Sequence, residues 1–114
     1  MKKLISLVVL MAFVGAAGSV AAAGNAASGK NKSAVCAGCH GVDGNSAAPN
    51  FPKLAGQDAQ YTAKQLADFK SGTRKDPVMA GMAAGLSKKD MDDLGAYYAS
   101  RKRSTGTTSA SAAA

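Results

Sequence analysis

The residues with the clearest chemistry lie in one short segment, Cys36-Ala37-Gly38-Cys39-His40. The chain contains two cysteines and one histidine, and this segment holds all three. The spacing C-x-x-C-H is typical of covalent haem attachment. Both thiols add to vinyl groups of the porphyrin, and the adjacent histidine binds the iron as its proximal ligand. We therefore predict one haem c, attached through Cys36 and Cys39, with His40 on the iron.

Two other interpretations of a cysteine pair are weaker here. A C-x-x-C pair in an exported protein also occurs as a disulfide or as a thioredoxin-like redox pair. The second of these needs a surrounding βαβ pattern, which the sequence does not contain. A structural zinc site needs four ligands, whereas the chain offers only three cysteine and histidine side chains. Haem attachment is the interpretation that uses all three residues.

The second axial ligand of the iron must come from a distant part of the chain, because no other histidine is present. A methionine thioether is suitable, since it raises the reduction potential of haem iron. The candidates after residue 23 are Met79, Met82 and Met91. Leu86 and Met91 have the spacing of a hydrophobic staple at a helix start, which assigns Met91 to packing. Met79 and Met82 share a Gly/Ala-rich stretch, and periodicity does not choose between them.

Helices must position these residues, because no alternating strand pattern occurs and the sequence predicts an all-α fold with long loops. A short helix is expected from Gly29 or Lys30 into Cys36. A second helix is expected from Asp58, its N-cap, to Lys70, with an apolar stripe along one side.

The second half of the chain is predicted to contain a loop and a final helix. Residues 71–86 are predicted to be a loop with at most a short helical turn, because Pro77, Gly81 and Gly85 discourage a long element. Ser87 and Asp90 have the spacing of a capping box, which starts the final helix. We expect this helix to end near residues 101–103.

The two ends of the chain have different compositions from the part between them. Residues 1–23 combine a basic start, an apolar run and the cleavage sequence Ala21-Ala22-Ala23, which predicts a secretory signal peptide. An uncleaved membrane anchor is less favoured because glycine and serine interrupt the second half. Residues 104–114 contain only Ser, Thr, Gly and Ala and are expected to be a disordered tail. The domain is thus residues 24–103, exported to the periplasm without stable membrane insertion after cleavage.

Charge restricts the class of partner. The chain carries a net charge of +7, from 14 basic and 7 acidic residues. The lysines are spread along the sequence without interleaved aromatic residues, which does not favour nucleic-acid binding. A moderate basic excess favours protein partners with acidic docking faces.

Three motifs together resemble the class I c-type cytochromes. They are the C-x-x-C-H segment, Asn50-Phe51-Pro52-Lys53-Leu54-Ala55-Gly56-Gln57, and Met79-Ala80-Gly81-Met82. The resemblance covers about residues 29–102 and is to a single haem domain of the bacterial di-haem members, although only one C-x-x-C-H is present. It implies the small cytochrome c fold, with three to four helices around one haem. It also implies that Met79 is the second iron ligand, that the Pro52 carbonyl accepts the Nδ1–H of His40, and that Leu54 packs on the haem.

The resemblance implies an electron-transfer protein and not an enzyme, because two protein ligands leave no open coordination position on the iron. Donor and acceptor would be respiratory or photosynthetic redox complexes, met by a monomer or weak dimer. Two alternatives stay open. The first is that the chain is the electron-transfer subunit of a larger dehydrogenase or oxidase. The second is that it is a weak peroxidase or ligand sensor whose methionine dissociates from the iron.

Overall fold

The computed structural model describes residues 24–105, and that range contains helices and no strands. The α-helices are α1 (Ala26–Lys32), α2 (Ala37–His40), α3 (Ala59–Ser71), α4 (Pro77–Ala83) and α5 (Lys88–Ala99), and a 3-10 helix (Ser33–Val35) joins α1 to α2. Helix α5 packs against both α1 and α3, and α4 packs against α3. The predicted all-α fold class is confirmed.

Helix α3 begins and ends as its sequence predicts. The Asp58 carboxylate accepts a hydrogen bond from the Tyr61 N–H at 2.8 Å and caps the first turn. Gly72 follows the last turn with φ +82°, a left-handed conformation that favours glycine. Thr62 and Phe69 are buried on the inner side of the helix.

Helix α5 has the predicted capping box. The Asp90 N–H donates to the Ser87 hydroxyl at 3.1 Å, and the Ser87 N–H donates to the Asp90 carboxylate at 2.9 Å. The helix ends at Ala99 and does not reach residues 101–103, because the Ser100 hydroxyl donates to a carbonyl of the last turn and closes it. Its buried face forms the core with Leu94, Tyr97 and Tyr98.

The prediction that residues 71–86 form a loop is wrong for their middle part, where α4 forms. The Asp76 carboxylate accepts a hydrogen bond from the Met79 N–H at 2.9 Å and caps the helix. Pro77 occupies the first turn, where its missing N–H has no helical partner to lose and its fixed φ suits the helix. Pro77, which predicts a break in the helix from its type alone, therefore stands at the start of one.

The predicted start of the first helix at Gly29 or Lys30 is also wrong, because α1 begins at Ala26. The Asn25 side chain accepts a hydrogen bond from the Ser28 N–H at 2.9 Å, which caps the helix earlier. The chain then continues through the 3-10 helix into α2 and does not form one uninterrupted helix.

The contact between α1 and α5 depends on glycine. A Cβ added at Gly29 would lie 1.9 Å from the carbonyl oxygen of Asp93, and one at Gly95 would lie 2.3 Å from that of Ala59 on α3. These distances are far below any real Cβ contact. Glycine therefore lets both neighbours of α5 approach it backbone to backbone.

A buried carboxylate closes the same contact. The Asp93 side chain is 1% exposed and accepts hydrogen bonds from Lys32 at 2.6 Å, from Lys89 at 2.7 Å and from the Asn25 N–H at 2.7 Å. These donors, Lys32 above all, hold the pKa of Asp93 well below its usual range. Lys32 also binds Asp90 at 2.7 Å and is the main cause that lowers the pKa of that carboxyl to about 2.

The signal peptide predicted at residues 1–23 and residues 106–114 of the predicted tail lie outside the described residues. Ser104, assigned to the start of that tail, contacts the domain. Its N–H donates to the Asn45 side chain at 2.7 Å, and its carbonyl accepts from Lys53 at 3.1 Å. Between residues 24 and 105, every helix is too short or too polar to cross a membrane.

Candidate functional site

One turn of helix presents the C-x-x-C-H residues. The Cys36 carbonyl accepts hydrogen bonds from the N–H groups of Cys39 at 3.3 Å and His40 at 3.0 Å. Residues three apart lie on the same side of a helix, and both cysteines line one cavity. The chain leaves α2 at Gly41 with φ +84°, where a Cβ would lie 2.7 Å from the Asn45 carbonyl oxygen. Glycine thus permits the sharp exit that follows the histidine.

His40 is held in one orientation by a backbone carbonyl. The side chain is buried, and its Nδ1 lies 2.8 Å from the carbonyl oxygen of Pro52. Because a carbonyl only accepts, Nδ1 carries the ring proton and donates it, which leaves the Nε2 lone pair available for a metal. The edge of the Phe51 ring packs near the imidazole, with ring centroids 6.4 Å apart. The hydrogen bond to the Pro52 carbonyl is the one that the resemblance implied.

The cysteines and the histidine line a cavity of about 450 Å³. That volume lies within the range of cofactor and ligand pockets. The cavity brings together all six residues proposed from the sequence, which are Cys36, Cys39, His40, Pro52, Leu54 and Met79. Apolar side chains from α3 and α5 complete its wall, including Leu66, Phe69 and Leu94.

Helix α4 brings both candidate methionines to this cavity. Met79 and Met82, three residues apart, line it together. Met79 is half-buried, whereas Met82 is 43% exposed. Met91 is 5% exposed on α5 and does not line the cavity, which agrees with its assignment to packing.

The cavity fits a large, flat, apolar group that carries a metal. Its donors are two thiols, an imidazole and two thioethers, which include the set that c-type haem uses. The hydroxyls of Thr62 and Tyr98 are buried at the wall and have no hydrogen-bond partner within residues 24–105. Large apolar side chains at the rim, Val35, Tyr61 and Val78, are 50–65% exposed. Both features are expected where a cofactor completes the packing of a wall.

The environment of Cys36 does not suit thiol redox chemistry. Burial raises the pKa of the Cys36 thiol, and burial likewise raises the pKa of the Tyr98 hydroxyl beside it. A reactive cysteine needs the opposite shift, because the thiolate is the nucleophile. The raised pKa of Cys36 therefore does not favour a dithiol redox pair.

Sequence reasoning missed two polar residues of the cavity wall, Gln65 and Arg74. The Arg74 guanidinium donates to the Gln65 side chain at 2.7 Å and lies 4.5 Å from the centre of the Phe69 ring. No local signal identifies them, since an arginine in a predicted surface loop has no periodic partner. Only the packing of α4 on α3 brings Arg74 to the cavity.

Known proteins are similar to this chain in sequence and in fold. Residues 21–102 match the family described as Cytochrome c. Cytochrome c4 of Pseudomonas aeruginosa is 52% identical over 100 residues, which are 88% of this chain and 50% of that protein. Cytochrome c-554(548) of Halomonas halodenitrificans is 42% identical over 83 residues, which are 70% of this chain and 100% of that protein. The crystal structure of reduced recombinant cytochrome c4 from Pseudomonas stutzeri matches with a TM-score of 0.70 and 52% identity, covering 74% of this chain and 49% of that chain.

The fold and the site define a c-type haem domain, and the chain belongs to the cytochrome c family. It is similar to one haem domain of the di-haem cytochrome c4, and it spans about half the length of the cytochrome c4 relatives it matches. The resemblance inferred from the sequence is confirmed at the level of a single haem domain. Proteins of this family carry covalent haem c, which is the cofactor of this chain.

Proposed function

We propose that this chain is a one-electron carrier in which Cys36 and Cys39 hold the haem covalently while His40 and Met79 bind its iron. The observation that carries the proposal is that two thiols, one imidazole and both candidate thioethers line one apolar cavity. Haem c supplies an iron that alternates between Fe(II) and Fe(III). No side chain has to gain or lose a bond in that exchange, so the protein acts as a carrier and not as an enzyme.

The protein residues orient the iron ligands and exclude water. The Pro52 carbonyl fixes the imidazole of His40 through Nδ1–H, and such a hydrogen bond makes the ring a stronger ligand. Leu54 and its apolar neighbours on α3 and α5 form a wall of low polarity. A methionine thioether from α4 would be the second protein ligand of the iron, so a substrate would have to displace a protein side chain before it could bind.

The burial of the methionines supports Met79 as this second ligand. Met79 lies one helical turn before Met82, and the Asp76 cap fixes the backbone N–H of Met79. Met79 is the more buried of the two, while Met82 lies at the rim. A rim position suits a side chain that packs on the outer edge of the cofactor.

We further propose that residues 1–23 are a signal peptide cleaved after Ala23, that residues 24–103 are the haem domain, and that the carrier works in the periplasm. Acidic redox partners would dock near α4. The exposed apolar side chains of Val78 and Met82 lie there beside Lys75, an exposed lysine that forms no ion pair within the described residues. Contacts of this kind are small and short-lived.

The test is a pair of measurements on the exported protein, a haem stain after denaturing electrophoresis and visible spectra of both oxidation states. We expect haem that survives denaturation and the low-spin bands of histidine and methionine ligation, including the weak far-red band of a sulfur–iron bond. A chain without haem, from a host that attaches haem c to other proteins, would overturn the proposal.

The same preparation separates the carrier from its alternatives. A carrier purifies alone, and its reduced form does not bind carbon monoxide rapidly. A fixed-stoichiometry complex with an enzyme would identify an electron-transfer subunit instead. A high-spin iron that binds carbon monoxide rapidly would identify a sensor or peroxidase.

A further inference from the structure

The Ser46 hydroxyl is a buried donor beside the loop that orients His40. Ser46 is 6% exposed and does not line the cavity, and its hydroxyl donates to the Phe51 carbonyl at 2.5 Å. The Ala48 carbonyl oxygen lies farther from the same hydroxyl, at 3.4 Å. Phe51 directly precedes Pro52, whose carbonyl oxygen lies 2.8 Å from Nδ1 of the histidine. Ser46 therefore binds the residue next to the one that fixes the imidazole.

The direction of the Pro52 carbonyl depends on this contact. Proline has no N–H, so the carbonyl of Phe51 is the one hydrogen-bonding group of the peptide that joins Phe51 to Pro52. The ring also fixes the φ angle of Pro52, so only its ψ rotation separates the direction of its carbonyl from that of the preceding peptide. The Leu54 N–H donates to the Gly44 carbonyl at 2.8 Å and restrains that rotation from the other side. Losing the Ser46 hydroxyl would therefore release one of the two restraints on the Pro52 carbonyl.

The segment that follows α5 holds Ser46 in place through the neighbouring Asn45. The Asn45 amide nitrogen donates to the Lys102 carbonyl at 2.9 Å, and its amide oxygen accepts from the Ser104 N–H at 2.7 Å. The Lys53 ammonium reaches the same segment, where it donates to the carbonyl of Ser104 at 3.1 Å and to its hydroxyl at 3.0 Å. Because both ends of the Asn45 amide are bound, the position of the adjacent Ser46 is fixed relative to the end of α5.

We propose that Ser46 is a positioning residue for the iron ligand His40, which it reaches through the Phe51–Pro52 peptide. Asn45 holds Ser46 in place for this role. The inference rests on the proposed binding of haem iron by His40. A carbonyl that accepts the Nδ1–H of a histidine makes the ring a stronger metal ligand. A stronger ligand stabilises Fe(III) relative to Fe(II), so the contact that Ser46 maintains lowers the midpoint potential.

The competing role for Ser46 is to stabilise the loop without any effect on the iron. A serine hydroxyl that only closes a local turn binds a carbonyl close to it in sequence. Ser46 instead makes its short contact with Phe51, five residues on, and leaves the Ala48 carbonyl at the longer distance. The geometry thus favours the positioning role, and the two roles differ in whether the potential changes when the hydroxyl is removed.

The test combines the midpoint potential of the purified holoproteins with solvent exchange of the His40 Nδ1–H, followed by NMR of the reduced form. In Ser46→Ala we expect a higher midpoint potential and an unchanged low-spin spectrum. The Nδ1–H should exchange about fivefold faster, a ratio that corresponds to the typical net contribution of one hydrogen bond. Asn45→Ala keeps the Ser46 hydroxyl and loosens its position. Smaller shifts of the same sign are expected there, and they can be measured even if Ser46→Ala does not accumulate.

Ser87→Ala is the matched control, because it makes the same substitution at the start of α5, outside the cavity wall. It should lower the stability through the lost cap and leave both the potential and the exchange rate at their wild-type values. If Ser46→Ala and Asn45→Ala also lost stability without a change in potential or exchange, the proposal would be overturned. Equal shifts in Ser46→Ala and Ser87→Ala would overturn it as well, since they would indicate a general loosening of the domain.

The wild-type spectrum keeps this outcome separate from a failure of the proposed function. If wild type carries low-spin haem with histidine and methionine ligation and the variants match it in potential and exchange, only the role of Ser46 is wrong. A wild-type protein in which His40 does not bind haem iron would overturn the proposed function and this inference together.

Discussion

Replacing Gly29 by alanine should destabilise the domain strongly, although alanine is the better helix former. The added Cβ would lie 1.9 Å from the Asp93 carbonyl oxygen, and real Cβ contacts do not fall below 3.0 Å. The backbones of α1 and α5 must therefore separate by about 1.1 Å. Overpacking of a core costs about 1–3 kcal/mol, and a clash of backbone against backbone belongs at the upper end. The gain in helix propensity offsets about 1 kcal/mol of this.

The net loss in the free energy of unfolding is then about 2 kcal/mol. For a domain of this size, that corresponds to a fall in Tm of about 8–16 °C. The assay is thermal unfolding of the haem-loaded protein, followed by far-ultraviolet circular dichroism, with the visible spectrum as a check that the iron ligands are intact.

Gly81→Ala provides the matched control. It makes the same substitution inside helix α4, where an added Cβ meets nothing within 4 Å. Only the higher helix propensity of alanine acts at this position, so the free energy of unfolding is expected to rise by up to about 1 kcal/mol. If Gly29→Ala also raised the Tm, or left it unchanged, the close approach of α1 to α5 would not limit the fold, and the reasoning would be refuted.

Three further predictions concern the iron ligand, a helix cap and acid stability. Met79→Ala should retain haem but become high-spin with a lower midpoint potential, whereas Met82→Ala should stay low-spin; the reverse result would exchange their roles. Ser87→Ala should lower stability by about 1 kcal/mol through the lost cap, with an unchanged visible spectrum. Folding lowers the pKa values of Asp90 and Asp93, so their ionised carboxylates stabilise the folded domain. This stabilisation is fully present above their ordinary pKa of 3.8, and it is lost as the pH falls through the folded values, about 2 for Asp90. Acid titration of the folded fraction should show this loss begin below about pH 4, and Asp93→Asn should reduce the stability at neutral pH while making it less dependent on acid.

The parts of the fold that local chemistry determines could be predicted from the sequence. Asp58 and Ser87 cap helices because a short polar side chain satisfies the N–H groups of the following turn. The same kind of cap at Asp76 was overlooked, since Pro77 suggested a break. The cap at Asp76 and the proline that follows it obey one rule, that proline directly after a capping residue favours a helix start.

Long-range features could not be predicted in the same way. Gly29 has no local reason to be glycine, and only the position of α5 explains it. For the site, Cys36, Cys39 and His40 are neighbours in sequence, so their shared role was apparent. Met79 and Met82 are both oriented toward the cavity by α4, which is why their spacing alone left both open.

The contact of α1 with α5 has a consequence for the order of folding. The hydrogen bond from the Asn25 N–H to Asp93 joins residues 68 positions apart. Closing a loop of that length costs conformational entropy before packing contacts compensate for it. The walls of the cavity, drawn from the C-x-x-C-H turn, α3, α4 and α5, therefore cannot assemble until the last helix has been synthesised. We expect the nascent domain to acquire its closed cavity late and in one cooperative step.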